Sequence, residues 1–333
     1  RVNQEIVGDF QIMAEEKKAT GKIKENELNF KTDIHAVLMG DSVLDTFYWL
    51  SDKRRDVRFE LDRLLKEDNK NAKCTNLAVD ESTIYNVLYG IQPNRGYVRS
   101  RAWNKLEPYP VDNAGFVRPL YLVRNLKDPT HVILSIGGND ARAAFASSFN
   151  LEGIYKRMMD QGIIDGFERL VTEVTKVVPN IILVIVYHPL VTSCPIFHML
   201  PKASVITELI VRFTPMFLDI AKKFKLPVID LARTFNPHDS RDYGSTPIEP
   251  SNRSGLYIAE MARHIIRTFQ FGKEDAKIYT GLVSDPDGDE SNWRPLKAEV
   301  IDESFKDLEK YRTSLNKHME DGRSKVKSAC VIS

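Results

Sequence analysis

The chain has 333 residues, of which 42% are hydrophobic and 28% are charged, a composition typical of soluble globular proteins. Its 47 Lys and Arg residues nearly balance its 46 Asp and Glu residues, and this balance gives no electrostatic reason to expect a nucleic-acid partner. No apolar run is long enough to span a membrane, and the three scattered cysteines favour a reducing, cytoplasmic compartment over a disulfide framework.

Apolar strand-like runs and helical periodicities alternate along the chain after a charged, helix-prone N-terminal extension over residues 1–33. We predict five strands, at 36–39, 74–79, 131–136, 181–187 and 227–230. Between and after them we predict a long helix from about 42 to 69 and helices at 151–178, 203–224 and 255–271. An irregular insertion is expected at 90–118, between the second and third strands.

This alternation predicts parallel strands covered by helices on both faces. We therefore expect one α/β domain over residues 34–271, with a three-layer α/β/α, flavodoxin-like fold and five parallel strands. A C-terminal extension over 272–333 is expected to form an amphipathic helix at about 295–318 that packs on the domain or on a protein partner. An acidic loop at 285–289 lacks the ligand spacing of a calcium loop, so we expect no metal site there.

The first predicted strand ends in Gly40-Asp41-Ser42. A glycine after a buried strand indicates a tight turn, and the turn would place the serine at the carboxyl edge of the sheet, where α/β proteins bind ligands. Two interpretations of Ser42 are open on this stretch alone: a helix N-cap, or a nucleophile with backbone N–H groups beside it.

Three further short sequence motifs accompany the later strands; with Gly40-Asp41-Ser42 as the first block, we number them as blocks in chain order. Asn76 follows the second strand, Gly137-Gly138-Asn139-Asp140 follows the third, and residues 248–255 precede the last helix. Together with the first block they resemble the SGNH/GDSL hydrolase superfamily over about residues 34–271.

The resemblance implies an acyl-ester hydrolase that needs no cofactor and no metal. Ser42 would be the nucleophile, and its N–H, a backbone N–H from the second block and the Asn139 side chain would stabilise the oxyanion. The other residues expected around this site are Gly40, Asp41, Glu81, Gly138 and Asp140.

The sequence departs from the family pattern at two places. The glycine of the second block falls at Asp80 or Glu81, and a carboxylate there would repel a developing oxyanion. The aspartate and the histidine of the last block are replaced by Thr246 and Glu249, so both the orienting acid and the general base are missing from their expected positions.

Three residues could replace the missing base: Glu249 itself if burial raises its pKa, His238 in the loop upstream, or His188 after the fourth strand. Two functions stay open accordingly. The first is a catalytically impaired, pseudoenzyme-like protein that keeps its pocket and acts as a binding or scaffold component. The alternative is an active serine esterase or lipase that acts on acyl or acetyl esters.

The chain ends in Cys330-Val331-Ile332-Ser333, which matches the C-a-a-X prenylation signal, and the terminal serine favours a farnesyl group. The four basic residues upstream supply the second signal that stable membrane anchoring needs: Lys317, Arg323, Lys325 and Lys327. In a eukaryotic host we therefore expect lipidation of Cys330, which would hold the protein on the cytoplasmic face of a membrane.

Overall fold

The computed structural model describes residues 33–91, 116–145, 150–191, 203–281, 296–302 and 307–332. The predicted N-terminal extension up to residue 32, most of the insertion at 90–118, Cys194 and the acidic loop at 285–289 lie outside the described residues.

A seven-stranded sheet runs through the described part of the chain in the spatial order β2-β1-β3-β4-β5-β6-β7. The strands are β1 (His35–Gly40), β2 (Lys73–Asn76), β3 (His131–Ser135), β4 (Ile181–Ile185), β5 (Val228–Asp230), β6 (Lys277–Thr280) and β7 (Lys297–Val300). Every neighbouring pair is parallel except β6 and β7, which pair antiparallel. The carboxyl ends of β1, β3 and β4 therefore lie side by side at one edge of the sheet.

Helices cover both faces of this sheet. They are α1 (Val57–Asp68), α2 (Ile84–Tyr89), α3 (Pro119–Asn125), α4 (Gly138–Phe145), α5 (Leu151–Asp160), α6 (Ile163–Thr175), α7 (Ala203–Phe224), α8 (Asn252–Thr268) and α9 (Leu308–Ile332). One apolar core lies between the sheet and α2, α3, α5, α6 and α7, and a second lies between the opposite face and α1 and α8. The predicted α/β/α class is confirmed. None of the described helices is both long and apolar enough to cross a bilayer.

The predicted count of five parallel strands is wrong, because β6 and β7 extend the sheet from within the segment assigned to the C-terminal extension. β6 adds to the open edge of β5, and β7 then pairs with β6 through residues 297–300, where the sequence pattern predicted a helix. Strand pairing gives hydrogen bonds to backbone N–H and C=O groups that would be unpaired at the edge of the sheet. These tertiary hydrogen bonds outweigh the local preference of the segment for a helix.

The predicted long helix after Ser42 is also wrong, since regular helix begins only at Val57. The Asp56 side chain caps α1 by accepting a hydrogen bond from the Phe59 N–H at 2.8 Å. The helix predicted over 151–178 is interrupted at Gly162, which has a left-handed φ of 64°. Such a conformation suits glycine and cannot continue a right-handed helix.

The C-terminal helix α9 packs on α7 of the same chain. Tyr311 and Leu315 of α9 are buried in a cluster with Ile206 and Val211 of α7. Beside it, the Arg312 guanidinium donates two hydrogen bonds to the Glu208 carboxylate, at 2.7 and 2.8 Å. The helix therefore contacts the domain, while the predicted contact with a protein partner stays a prediction.

Candidate active site

The turn after β1 places Ser42 at the carboxyl edge of the sheet. Gly40 has a φ of +134°, and a Cβ atom at this position would lie 1.6 Å from the Ser135 carbonyl oxygen of β3. Only glycine fits there. The next residue, Asp41, donates its backbone N–H to the same Ser135 oxygen at 3.1 Å. This close approach of β1 to β3 fixes the position from which Ser42 leaves the sheet.

Asp41 stabilises the turn that carries Ser42. Its side chain is buried, and its Oδ1 atom accepts a hydrogen bond from the Val43 N–H at 3.2 Å. Burial raises the pKa of Asp41 well above its ordinary value, and the nearby carboxylates of Glu249 and Asp140 add to that rise. We therefore assign Asp41 a structural part in the turn.

The Glu249 carboxylate faces Ser42. Glu249 is only 5% exposed, and burial raises its pKa from 4.5 to about 7, although a side-chain hydrogen bond with Ser42 acts in the opposite direction. Its Oε2 atom is buried with no hydrogen-bond partner among the described residues. The residue that replaces the family's histidine is thus in contact with the serine, and its pKa lies close to neutral pH.

Two contacts hold the loop that carries Glu249. The Tyr187 hydroxyl, just after β4, donates a hydrogen bond to the carbonyl oxygen of Ile248. The Gly244 N–H donates to the carbonyl oxygen of Glu249 at 2.7 Å. At the family's aspartate position, Thr246 has a buried Oγ1 atom without a hydrogen-bond partner among the described residues, so the structure shows no group that orients Glu249 from there.

Neither candidate histidine lines the cavity at Ser42. The Nδ1 atom of His188 is 2.8 Å from the Pro189 carbonyl oxygen, and the ring is buried. His238 is half-buried, and its pKa is lowered by burial and by the positive charge of Arg323. Of the three proposed replacements for the base, the structure brings only Glu249 to the serine.

In the second block, Glu81 adopts a backbone conformation that is typical of glycine. Glu81 has a φ of 65°, in the left-handed region that favours glycine, so of the two positions Asp80 and Glu81 it is Glu81 that has this backbone conformation. Its carboxylate accepts a hydrogen bond from Arg142 at 3.1 Å. Asp80 is buried and donates its backbone N–H to Asp45 at 2.9 Å. Burial, followed by the negative charge of Glu249, raises the pKa of Asp80 to about 9.

The third block forms the first turn of α4 and is tied to the second block. The Asn139 Nδ2 atom donates to the Ser82 carbonyl oxygen at 3.0 Å, and the Asp140 carboxylate accepts the Ile84 N–H at 3.1 Å. Burial raises the pKa of Asp140 to about 6. An amide nitrogen has two N–H donors, and the bond to Ser82 uses one of them, so Asn139 retains a donor for a ligand.

A cavity of about 160 Å³ opens beside these groups. Its polar end is formed by Asp41, Ser42, Gly138, Asn139, Arg142 and Glu249. Its other walls are apolar side chains of α5, α7 and the end of β4: Met158, Ile185, Val186, Ile206, Leu209, Ile210, Phe213 and Phe217. A mostly apolar cavity with a few convergent polar groups is typical of a small-molecule site. Within the described residues no cluster of His, Cys, Asp and Glu side chains has an arrangement that could hold a metal ion.

Arg142 and the apolar walls are not among the site residues that the sequence predicts. Arg142 lies three residues after Asn139, so helical spacing places both on one side of α4 and could have indicated it. The apolar residues of α5 and α7 give no such signal, because a residue that lines a cavity and one that packs in a core have the same apolar periodicity.

The chain thus brings the blocks together at one sheet edge in the expected order. Among solved structures it is similar to a lipase from a goat rumen metagenome, with 12% identity, 70% of this chain and 98% of the lipase covered, and a TM-score of 0.48. A carbohydrate acetylesterase family member from Sinorhizobium meliloti has 12% identity, coverages of 70% and 97%, and a TM-score of 0.48. An aryl esterase from M. smegmatis has 17% identity, coverages of 70% and 99%, and a TM-score of 0.45.

The comparison with protein-family models and the search of curated sequences match nothing. Because the structural similarities are this distant, we base the function on the geometry of the site.

Proposed function

We propose that the protein is a serine ester hydrolase in which Ser42 is the nucleophile and Glu249 is the general base. One observation carries the proposal: the buried Glu249 carboxylate hydrogen bonds to Ser42 and has a pKa of about 7. A general base works best when its pKa is near the operating pH, because it is then ionised and still takes up a proton readily. Raised carboxylate pKa values serve catalysis in other enzymes.

The reaction follows from this contact. The ionised Glu249 accepts the Ser42 proton while the serine oxygen bonds to the ester carbonyl carbon. The protonated Glu249 then donates that proton to the leaving alcohol as the C–O bond breaks, which leaves an acyl group on Ser42. Glu249 next accepts a proton from water, whose oxygen attacks the acyl carbon, and returns it to Ser42 as the free acid leaves.

The carbonyl oxygen becomes negative in both steps and needs hydrogen-bond donors. We assign this part to the Ser42 N–H and to the remaining N–H of Asn139. The acids of the second block oppose it less than the sequence suggests. Asp80, with a pKa of about 9, is uncharged at neutral pH, and the Glu81 carboxylate is paired with Arg142.

Ligand binding without turnover is the second candidate, as a binding or scaffold component. It is favoured by the hydrogen bond that the Asp80 carboxyl group accepts from the Glu81 N–H. This N–H corresponds to the backbone donor of the second block, and a side chain that already accepts it competes with an oxyanion. Losing one such donor costs about 100- to 1000-fold in rate in other enzymes.

A fluorophosphonate probe and p-nitrophenyl esters separate the two candidates. We expect wild type and the control variant Ser245→Ala, at an exposed loop serine, to be labelled and to hydrolyse esters, and we expect Ser42→Ala to do neither. Labelling and turnover that persist in a folded Ser42→Ala protein would refute the assignment of the nucleophile. Folded wild type that is neither labelled nor active would leave the binding function.

A further inference from the structure

We propose that the cavity beside Ser42 binds the acyl chain of the ester and that this chain is about six carbon atoms long. The inference rests on the proposed function, because it assigns the substrate class of the same serine. It selects between the acetyl and longer acyl esters that the sequence leaves open.

The cavity lies where one of the two substituents of a bound ester would enter, and we assign it to the acyl chain. Ser42 and Glu249 line the same cavity as Leu209, Phe213 and Phe217 of α7. An ester whose carbonyl carbon reaches Ser42 has two substituents, the acyl chain and the alcohol, and one of them enters the space against α7. The acyl chain continues directly from the carbonyl carbon that becomes bonded to Ser42, so it stays in the cavity after the alcohol leaves.

The chemistry of the walls selects an apolar occupant. The side chains that α5, α7 and the end of β4 contribute to the cavity are almost all apolar. Thr214 is the exception on α7, and its hydroxyl is hydrogen bonded to Tyr311 of α9. This polar group is therefore already satisfied from behind the wall. An apolar chain gains free energy in such a cavity, whereas a sugar or a charged group would lose its hydrogen bonds to water.

Aromatic packing fixes the dimensions of the cavity. The Phe217 ring packs edge-on against Phe167 of α6 with ring centres 4.6 Å apart, and the Phe213 ring packs against Tyr155 of α5 at 5.3 Å. Phe167 and Phe213 are buried. These walls cannot move outward without breaking the core behind them, so the cavity has a definite end.

The volume gives the chain length. The cavity measures about 160 Å³. An apolar cavity of about 150 Å³ in another protein holds one benzene molecule, which has six carbon atoms. Each buried methylene contributes about 0.8 kcal/mol, which corresponds to about four-fold in kcat/KM. We therefore expect kcat/KM to rise about four-fold per methylene up to about six carbons and to stop rising beyond that length.

The test is a series of p-nitrophenyl esters with acyl chains from acetyl to dodecanoyl, assayed with wild type, Ser42→Ala and two variants of the cavity wall. Phe217→Leu removes three heavy atoms from the wall and should move the optimum to chains about two carbons longer. Leu209→Phe adds three heavy atoms and should move it to shorter chains. Phe224→Leu makes the same chemical change as Phe217→Leu on the same helix but outside the cavity, and it should keep the wild-type optimum.

Each outcome has a definite meaning. Ser42-dependent turnover with an optimum near six carbons that moves with the two wall variants supports the proposal. Turnover that depends on Ser42 but is fastest with acetyl, or is independent of chain length, overturns the acyl pocket and leaves the ester hydrolase in place. No Ser42-dependent turnover with any chain length overturns both. Melting curves of each variant distinguish a changed pocket from a failure to fold.

Discussion

Replacing Glu249 by glutamine tests the proposed base through both stability and activity. Burial raises the pKa of Glu249 from 4.5 to about 7, so between these pH values the folded protein holds a proton that the unfolded chain releases. Wild-type stability therefore falls as the pH rises through this interval. One pH unit corresponds to about 1.4 kcal/mol, which gives a total of about 3 kcal/mol. Glutamine has no proton to lose, so Glu249→Gln escapes this loss.

The expected result is a stability difference that depends on pH. Packing changes caused by the substitution are the same at each pH, so they cancel when the difference between variant and wild type is compared at about pH 4 and about pH 8. We expect the variant to gain about 3 kcal/mol relative to wild type between these two conditions, measured by urea unfolding. Glu320→Gln makes the same chemical change at an exposed position of α9, away from the site, and is the matched control.

Activity should move in the opposite direction. Wild-type kcat/KM should rise with pH through about 7 as Glu249 ionises, and Glu249→Gln should lose about 100- to 10,000-fold together with this pH dependence. A stability difference that is equal at low and high pH would show that the pKa of Glu249 is ordinary in the folded protein. A large pH-dependent stability gain in Glu249→Gln with unchanged kcat/KM would show that the buried, ionised Glu249 destabilises the folded protein but is not the base.

Three further predictions concern other residues. Asp80 should ionise near pH 9, and its negative charge would then oppose the oxyanion. Wild-type kcat/KM should therefore fall above that pH, while kcat/KM of Asp80→Asn should not. The same fall of kcat/KM in both proteins above pH 9 would contradict this prediction. Gly40→Ala should lower the free energy of unfolding, measured with urea, by about 3 kcal/mol or more, because its Cβ atom would lie 1.6 Å from the Ser135 oxygen. A variant as stable as wild type would refute the close approach of β1 and β3. The intact mass of the protein purified from a eukaryotic host should show loss of the last three residues and a farnesyl group on Cys330. The variant Cys330→Ser should show neither change. An unmodified C-terminus in wild type would reject the prenylation signal.

Local sequence predicted much of the sheet because its strands are short apolar runs that end in glycine or polar turns. The run before Gly40 and the run before Gly137 indicate both the strands and the edge where they end, and the structure confirms those strands. The errors lie where local periodicity competes with a tertiary contact. Residues 297–300 look helical and pair as β7, and the residues after Ser42 look helical and form a turn held by Asp41 and Ser135.

The sequence by itself determined the position of Ser42, because the tight turn that presents it is encoded by three adjacent residues. It left three candidates for the base, since Glu249, His238 and His188 are all far from Ser42 along the chain. Only the tertiary structure shows which of them contacts Ser42, because the loop of Glu249 packs against Tyr187 and both histidines lie outside the cavity. The raised pKa of Glu249 is likewise tertiary, because it comes from burial by segments distant in sequence.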